Sequence, residues 1–167
     1  MGQQQFKSGV AAQACAANGI SPAEQVAADL QGLIAHEIPG VRDLRLYGLV
    51  RAAGGLSREN WSFDASWVDD RGAHSHRLML MRDAAGTLLN TERAREFAVL
   101  KALEGTGVPA PRVYWMDAQG RFLGAPSVVM ERVPGHCDYM VLNGHRPLDE
   151  RLALARGFIA LMADIHR

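Results

Sequence analysis

The chain has 167 residues, enough for one domain with its own core and part of a second. Apolar residues make up 48% and charged residues 22%, and 18 basic side chains balance 18 acidic ones, so the net charge is zero. That balance argues against nucleic acid or an anionic membrane as partner, and no apolar run approaches the roughly 18 residues of a membrane helix. The two cysteines, Cys15 and Cys137, stand far apart, which fits free thiols in a reducing cytoplasm. His74 and His76 form the one close histidine pair; without Cys or carboxylate at ligand spacing they read as solvated strand residues, not a metal site.

Residues 1–20 read as a poorly ordered leader, because the apolar stretch behind Lys7 is short and Gln13 and Asn18 interrupt it. Ser21-Pro22-Ala23-Glu24 then starts a helix, with Ser as cap, Pro at the first helical position and Glu reaching back to the free N–H. Val26, Leu30, Leu33, Ile34 and Ile38 share one face before Pro39-Gly40 stops it, so this helix is expected to cover one side of a sheet; the alternative is a partner-binding helix.

Residues 44–50 and 61–68 alternate apolar and polar and read as paired strands. Between them Gly54, Gly55 and Ser57 form a hairpin tip whose backbone can come close to a ligand; phosphate suits such a tip, although an ordinary turn explains the glycines as well. Asp69-Asp70-Arg71-Gly72 turns the chain into a third strand at 77–82. After a loop at 84–90, Thr91 caps a helix whose Ala94, Phe97, Leu100 and Lys101 stem, flanked by Val99 and Leu103, predict a broad buried stripe. Glu96 lies at its edge, and Glu92 in the first turn is explained by the helix dipole. Val108-Pro109-Ala110-Pro111 forces an extended crossing into strands at 112–116 and 127–131, and Pro147 opens a last helix with Leu148, Leu152, Ala155, Phe158, Ile159, Met162 and Ile165 on one side.

In this order the parts resemble the N-terminal lobe of the aminoglycoside phosphotransferase and choline kinase-like family, within the protein-kinase-like fold. The resemblance covers residues 46–135 and the last helix, and its most specific pieces are GGLSRENWSF, REFAVLKALEGTGVPAPRVYW and GAPSVVMERVPG. It implies an α+β class: a five-stranded antiparallel kinase-like sheet with a covering helix, preceded by an N-terminal helix and followed by a C-terminal one. Residues 21–135 would form the lobe, and 136–167 a linker and the first helix of a truncated C-terminal lobe.

The resemblance also implies a nucleotide site. Gly54, Gly55 and Ser57 would surround phosphates, Met130 would line the adenine slot, and the Glu131 carbonyl and Val133 N–H would bond the base at a hinge. Kinases carry a phosphate-pairing lysine on the third strand, but here Met81 or Arg82 stands there. Arg82 is therefore the expected phosphate-facing cation, held by Glu96, with an exposed strand-end arginine as the alternative.

The cofactor implied is ATP, or another nucleoside triphosphate, with Mg2+. His136-Cys137-Asp138 followed by Asn143 matches the spacing of a kinase catalytic loop, but it begins directly after the hinge and no second metal-binding aspartate follows. It reads as a connecting loop, and no catalytic residue or metal ligand is assigned. The expected function is the nucleotide-binding lobe of an ATP-dependent small-molecule phosphotransferase, cytoplasmic, of unknown acceptor, with its catalytic lobe missing from this chain. The alternatives are a noncatalytic nucleotide- or protein-binding module that forms a homodimer through its C-terminal helix, and a small α+β domain whose glycines only turn a hairpin.

Overall fold

The computed structural model describes residues 21–52, 58–83, 93–135, 140, 144 and 146–166. The elements in chain order are α1 (Pro22–Glu37), β1 (Arg42–Arg51), β2 (Arg58–Asp69), β3 (Gly72–Asp83), α2 (Arg93–Leu103), β4 (Val113–Asp117), β5 (Ser127–Glu131) and α3 (Leu148–Ile165). The leader, the glycine tip with Gly54, Gly55 and Ser57, the Thr91 cap, Glu92 and His136-Cys137-Asp138 with Asn143 all lie outside the described residues.

α1 starts as the sequence dictates. Ser21 Oγ accepts from the Glu24 N–H at 3.2 Å, and the Glu24 carboxylate accepts from the Ser21 N–H at 2.7 Å. The backbone bond to Ser21 holds the Glu24 carboxyl below its ordinary value. Five antiparallel strands form one sheet in the order β1-β2-β3-β5-β4, so β5 inserts next to β3 and leaves β4 at the edge.

Because strand side chains alternate, the two faces acquire different covers. Trp61, Phe63, Ala65 and Trp67 of β2, Leu78 and Leu80 of β3, Trp115 and Val129 face α1 and pack with Val26, Leu30, Leu33 and Ile34. On the opposite face Val113, Val128 and Met130 form a smaller core with Met79, Met81, Met116, Phe97 and Leu100 beneath α2. The broad α2 stripe expected from the sequence is not present: Phe97 and Leu100 are half-buried, Val99 is exposed, Lys101 pairs with Glu104 at 2.9 Å, and the one fully buried side chain of α2 is Arg93. A helix lying on a sheet edge has a narrow contact line, and here a buried ion pair occupies part of it.

The loop from β4 to β5 is fixed by Asp117, whose buried carboxylate accepts from the N–H groups of Arg121, Phe122 and Leu123 at 2.8 to 2.9 Å. Gly120 beside it has φ +67°, and a Cβ there would stand 2.5 Å from the Ala125 backbone nitrogen. The histidine pair is half-buried, and each ring has a partner. His74 bonds Asp69 at 2.9 Å, His76 bonds the Tyr114 hydroxyl at 3.1 Å, and both rings stack on Trp67. Among the described residues no helix is long and apolar enough to cross a membrane.

Candidate functional site

The register of the sheet sorts its side chains into rows on the α2 face. One row runs Val50, Ser62, Met79, Met130 across β1, β2, β3 and β5, and it ends one residue before the close of β5 at Glu131. The next row holds Asn60, Met81 and Val128, and the one after it holds Arg58 opposite Asp83. Four strand residues, about 13 Å, separate the apolar row from the charged one. Val50 is exposed, and Asn60 Oδ1 is buried without a partner among the described residues.

Four charged groups close the far end. Glu96 of α2 accepts from Arg58 Nη1 at 3.3 Å and from Arg93 Nη1 at 2.5 Å, and Arg93 also donates to Asp83. The sulfur of Met81 lies between the two arginines, 3.2 Å from Arg58 Nη1 and 3.3 Å from Arg93 Nη1. The arginines differ in access: the Arg93 side chain is 1% exposed and that of Arg58 is 29%.

Arg82 does not reach this cluster. It shares a face with Leu78 and Leu80, so its guanidinium emerges on the α1 side, where it donates to Glu59 at 2.6 Å and to the Leu123 carbonyl at 3.3 Å. Arg51 approaches the same carboxylate from β1 at 3.2 Å. Burial pushes the Glu59 carboxyl up, but the Arg82 hydrogen bond and the charges of Arg82 and Arg51 bring it below its ordinary value. The expected Arg82–Glu96 pair is thus replaced by Arg58 and Arg93 on Glu96, since residues one apart on a strand point to opposite faces.

Of the other sequence-chosen residues, Met130 lies on the α2 face and Glu131 ends β5 beside it. Val133 is exposed just beyond. The segment between them is pinned, because Arg132 N–H donates to the Arg77 carbonyl at 2.9 Å and its guanidinium bonds Asp64 at 2.5 Å. Arg58, Asn60 and Arg93 were missed by sequence reasoning. The signal for Arg58 was its parity: it alternates in step with Asn60, Ser62 and Asp64, opposite to the Trp61 and Phe63 core side.

On this face a cation held by an acid stands four strand residues from the Ser62–Met79–Met130 row. Among the described residues no group of three His, Cys, Asp or Glu side chains is arranged to hold a metal, so no step is assigned to Mg2+ here. A separate hollow of about 380 Å³ opens on the α1 face between Ile38 and the β2–β3 turn, lined by Trp67, Asp69, His74 and Trp115. It has no contact with the Glu96 cluster.

A five-stranded antiparallel sheet with α2 on one face along its β4–β5 edge, and a charged cluster on that helix, has the layout of a kinase-like lobe, and the sequence pattern of the phosphotransferase enzyme family matches residues 56–167. The chain belongs to that family. A crystal structure of a candidate aminoglycoside phosphotransferase from Ralstonia eutropha superposes with a TM-score of 0.53 at 19% identity, over 83% of this chain and 37% of that one. The mouse acyl-CoA dehydrogenase family member 10 is 39% identical over 61 residues, which are 35% of this chain and 6% of the relative. The chain therefore spans well under half the length of either.

Proposed function

We propose that this chain forms the nucleotide-binding lobe of an ATP-dependent small-molecule phosphotransferase, and that the nucleotide lies on the α2 face. The single observation that carries this is that the Val50–Ser62–Met79–Met130 row and the Arg58–Glu96 pair share one face of the sheet, four strand residues apart. The base would rest on the apolar row, with the Glu131 carbonyl and Val133 N–H as its backbone partners. The phosphates would extend toward Arg58, and Gly54, Gly55 and Ser57 belong to this reading on sequence grounds. ATP with Mg2+ is the cofactor it calls for, the acceptor is a small molecule, and the setting is the cytoplasm. The domain division, with a lobe at 21–135 and a second one opening at 136–167, is part of the same reading.

Titration of the isotopically labelled chain with ATP tests it. Amide signals of Met79, Met130 and Val133 should shift in a saturable way, while those of Val26 and Leu30 beneath the other face stay still. Shifts spread evenly over both faces, or none at saturating ATP, would rule it out.

A second reading is supported by α3, whose Leu148, Leu152, Phe158, Ile159 and Ile165 are all exposed. An apolar face of that size favours self-association, so a noncatalytic module dimerising through α3 is the alternative.

A further inference from the structure

Resting on the nucleotide reading above, we infer that the cation meeting the phosphates is Arg58 of β2, and that no residue of β3 does this. Met81 occupies the β3 position that faces α2 and Glu96, and a thioether cannot pair with a phosphate. Arg82, the only cation beside it on β3, is committed to Glu59 on the other face. The charge at this point of the cleft therefore comes from a neighbouring strand, and two arginines supply it.

They are not equivalent. Both terminal nitrogens of Arg93 are engaged, one with Asp83 and the other with Glu96, and its side chain is closed off from solvent. Arg93 is a buried brace. Arg58 is accessible, and among the described residues only its Nη1 is engaged, which leaves Nη2 and Nε as a fork able to grip two phosphate oxygens. The Arg58 bond to Glu96 is the longer of the two, at 3.3 Å against 2.5 Å for Arg93. Arg58 can thus turn toward a phosphate while Glu96 keeps Arg93 as its partner. Relocating the cation from β3 to β2 puts a side chain of different origin at the same place on the sheet, because Arg58 pairs with Asp83, two residues along β3 from Met81.

The test is a fluorescence titration of the full chain with mant-labelled ATP and mant-labelled adenosine, beside far-UV circular dichroism to verify folding. The natural chain should prefer the triphosphate, Arg58→Gln should lose about tenfold for the triphosphate only, and Arg82→Gln should change neither. Arg58→Gln combined with Met81→Lys returns a charge beside Glu96, which keeps Arg93 throughout, so it should fold and recover the preference. If Arg58→Gln kept the natural phosphate preference, or lost it and the double variant failed to recover it, the assignment to Arg58 falls while the nucleotide reading stands. Loss in Arg82→Gln instead would do the same. A natural chain that bound neither analogue would overturn both.

Discussion

At the scale of single residues, Asp117 and Gly120 make firm predictions because each has one physical job. Removing the Asp117 carboxylate strands three N–H groups in the β4–β5 loop, one of them buried. Asp117→Ala should cost about 3 kcal/mol of stability, read as a lower urea midpoint with an unchanged slope. Gly120→Ala adds a Cβ against the Ala125 backbone at a positive φ, so it should destabilise by more than about 1 kcal/mol in the same assay. Neither change should alter discrimination between ATP and adenosine, since the Asp117 bonds run into the β4–β5 loop and not to Arg58 or Glu96. Sequence alone gives Asp117 a turn position, at the head of Asp117-Ala118-Gln119-Gly120. That its side chain would be enclosed and triply bonded depended on how Arg121, Phe122 and Leu123 fold back over it.

At the scale of elements, α2 is held less by an apolar stripe than by one buried arginine. Arg93 joins α2 to the end of β3 through Asp83 and orients Glu96, while Phe97 and Leu100 supply the nearby apolar contact. Arg93→Met keeps much of the volume but leaves a nearly buried Asp83 carboxylate unpaired, so a loss of about 3 kcal/mol is expected, measured by equilibrium denaturation. The effect should be largest in hydrogen exchange of α2, with α1 protected as before, because α1 rests on the other core. At α3 the expectation concerns association. If its exposed stripe joins two copies, Phe158→Glu should shift sedimentation from dimer to monomer; a chain already monomeric at tens of micromolar, an order-of-magnitude choice, excludes that reading.

At the scale of the whole molecule, pH dependence follows from the aromatic stack on the α1 face. Burial holds the His76 imidazole below its ordinary value of 6.5, with the charges of His74 and Arg112 adding to the effect. The unfolded chain therefore takes up a proton before the folded one does as the pH falls. Stability from this group is complete above pH 6.5 and declines as the pH drops from there toward the lowered folded value. His76→Phe keeps a ring against Trp67 and should flatten that decline, which thermal unfolding between neutral and mildly acidic pH would show. A further decline at lower pH belongs to Asp69, whose carboxyl is held down first by its hydrogen bond to His74, and it should persist in the variant.

What the chain's own order of residues determined is the list of parts. The capping box before Val26, the alternation in β2, the prolines ahead of β4 and the run Val128-Val129-Met130 each report local geometry, which depends on near neighbours alone. The same patterns carried the family resemblance. What tertiary structure decided is which face of the sheet each helix covers, and with it whether position 81 or 82 of β3 looks into the cleft. A strand's period of two says that adjacent side chains diverge, but not which side receives α2. That choice put Met81 beside Glu96, sent Arg82 to Glu59, and brought Arg58 in from β2 to join Arg93, which is one helical turn from Glu96 on α2.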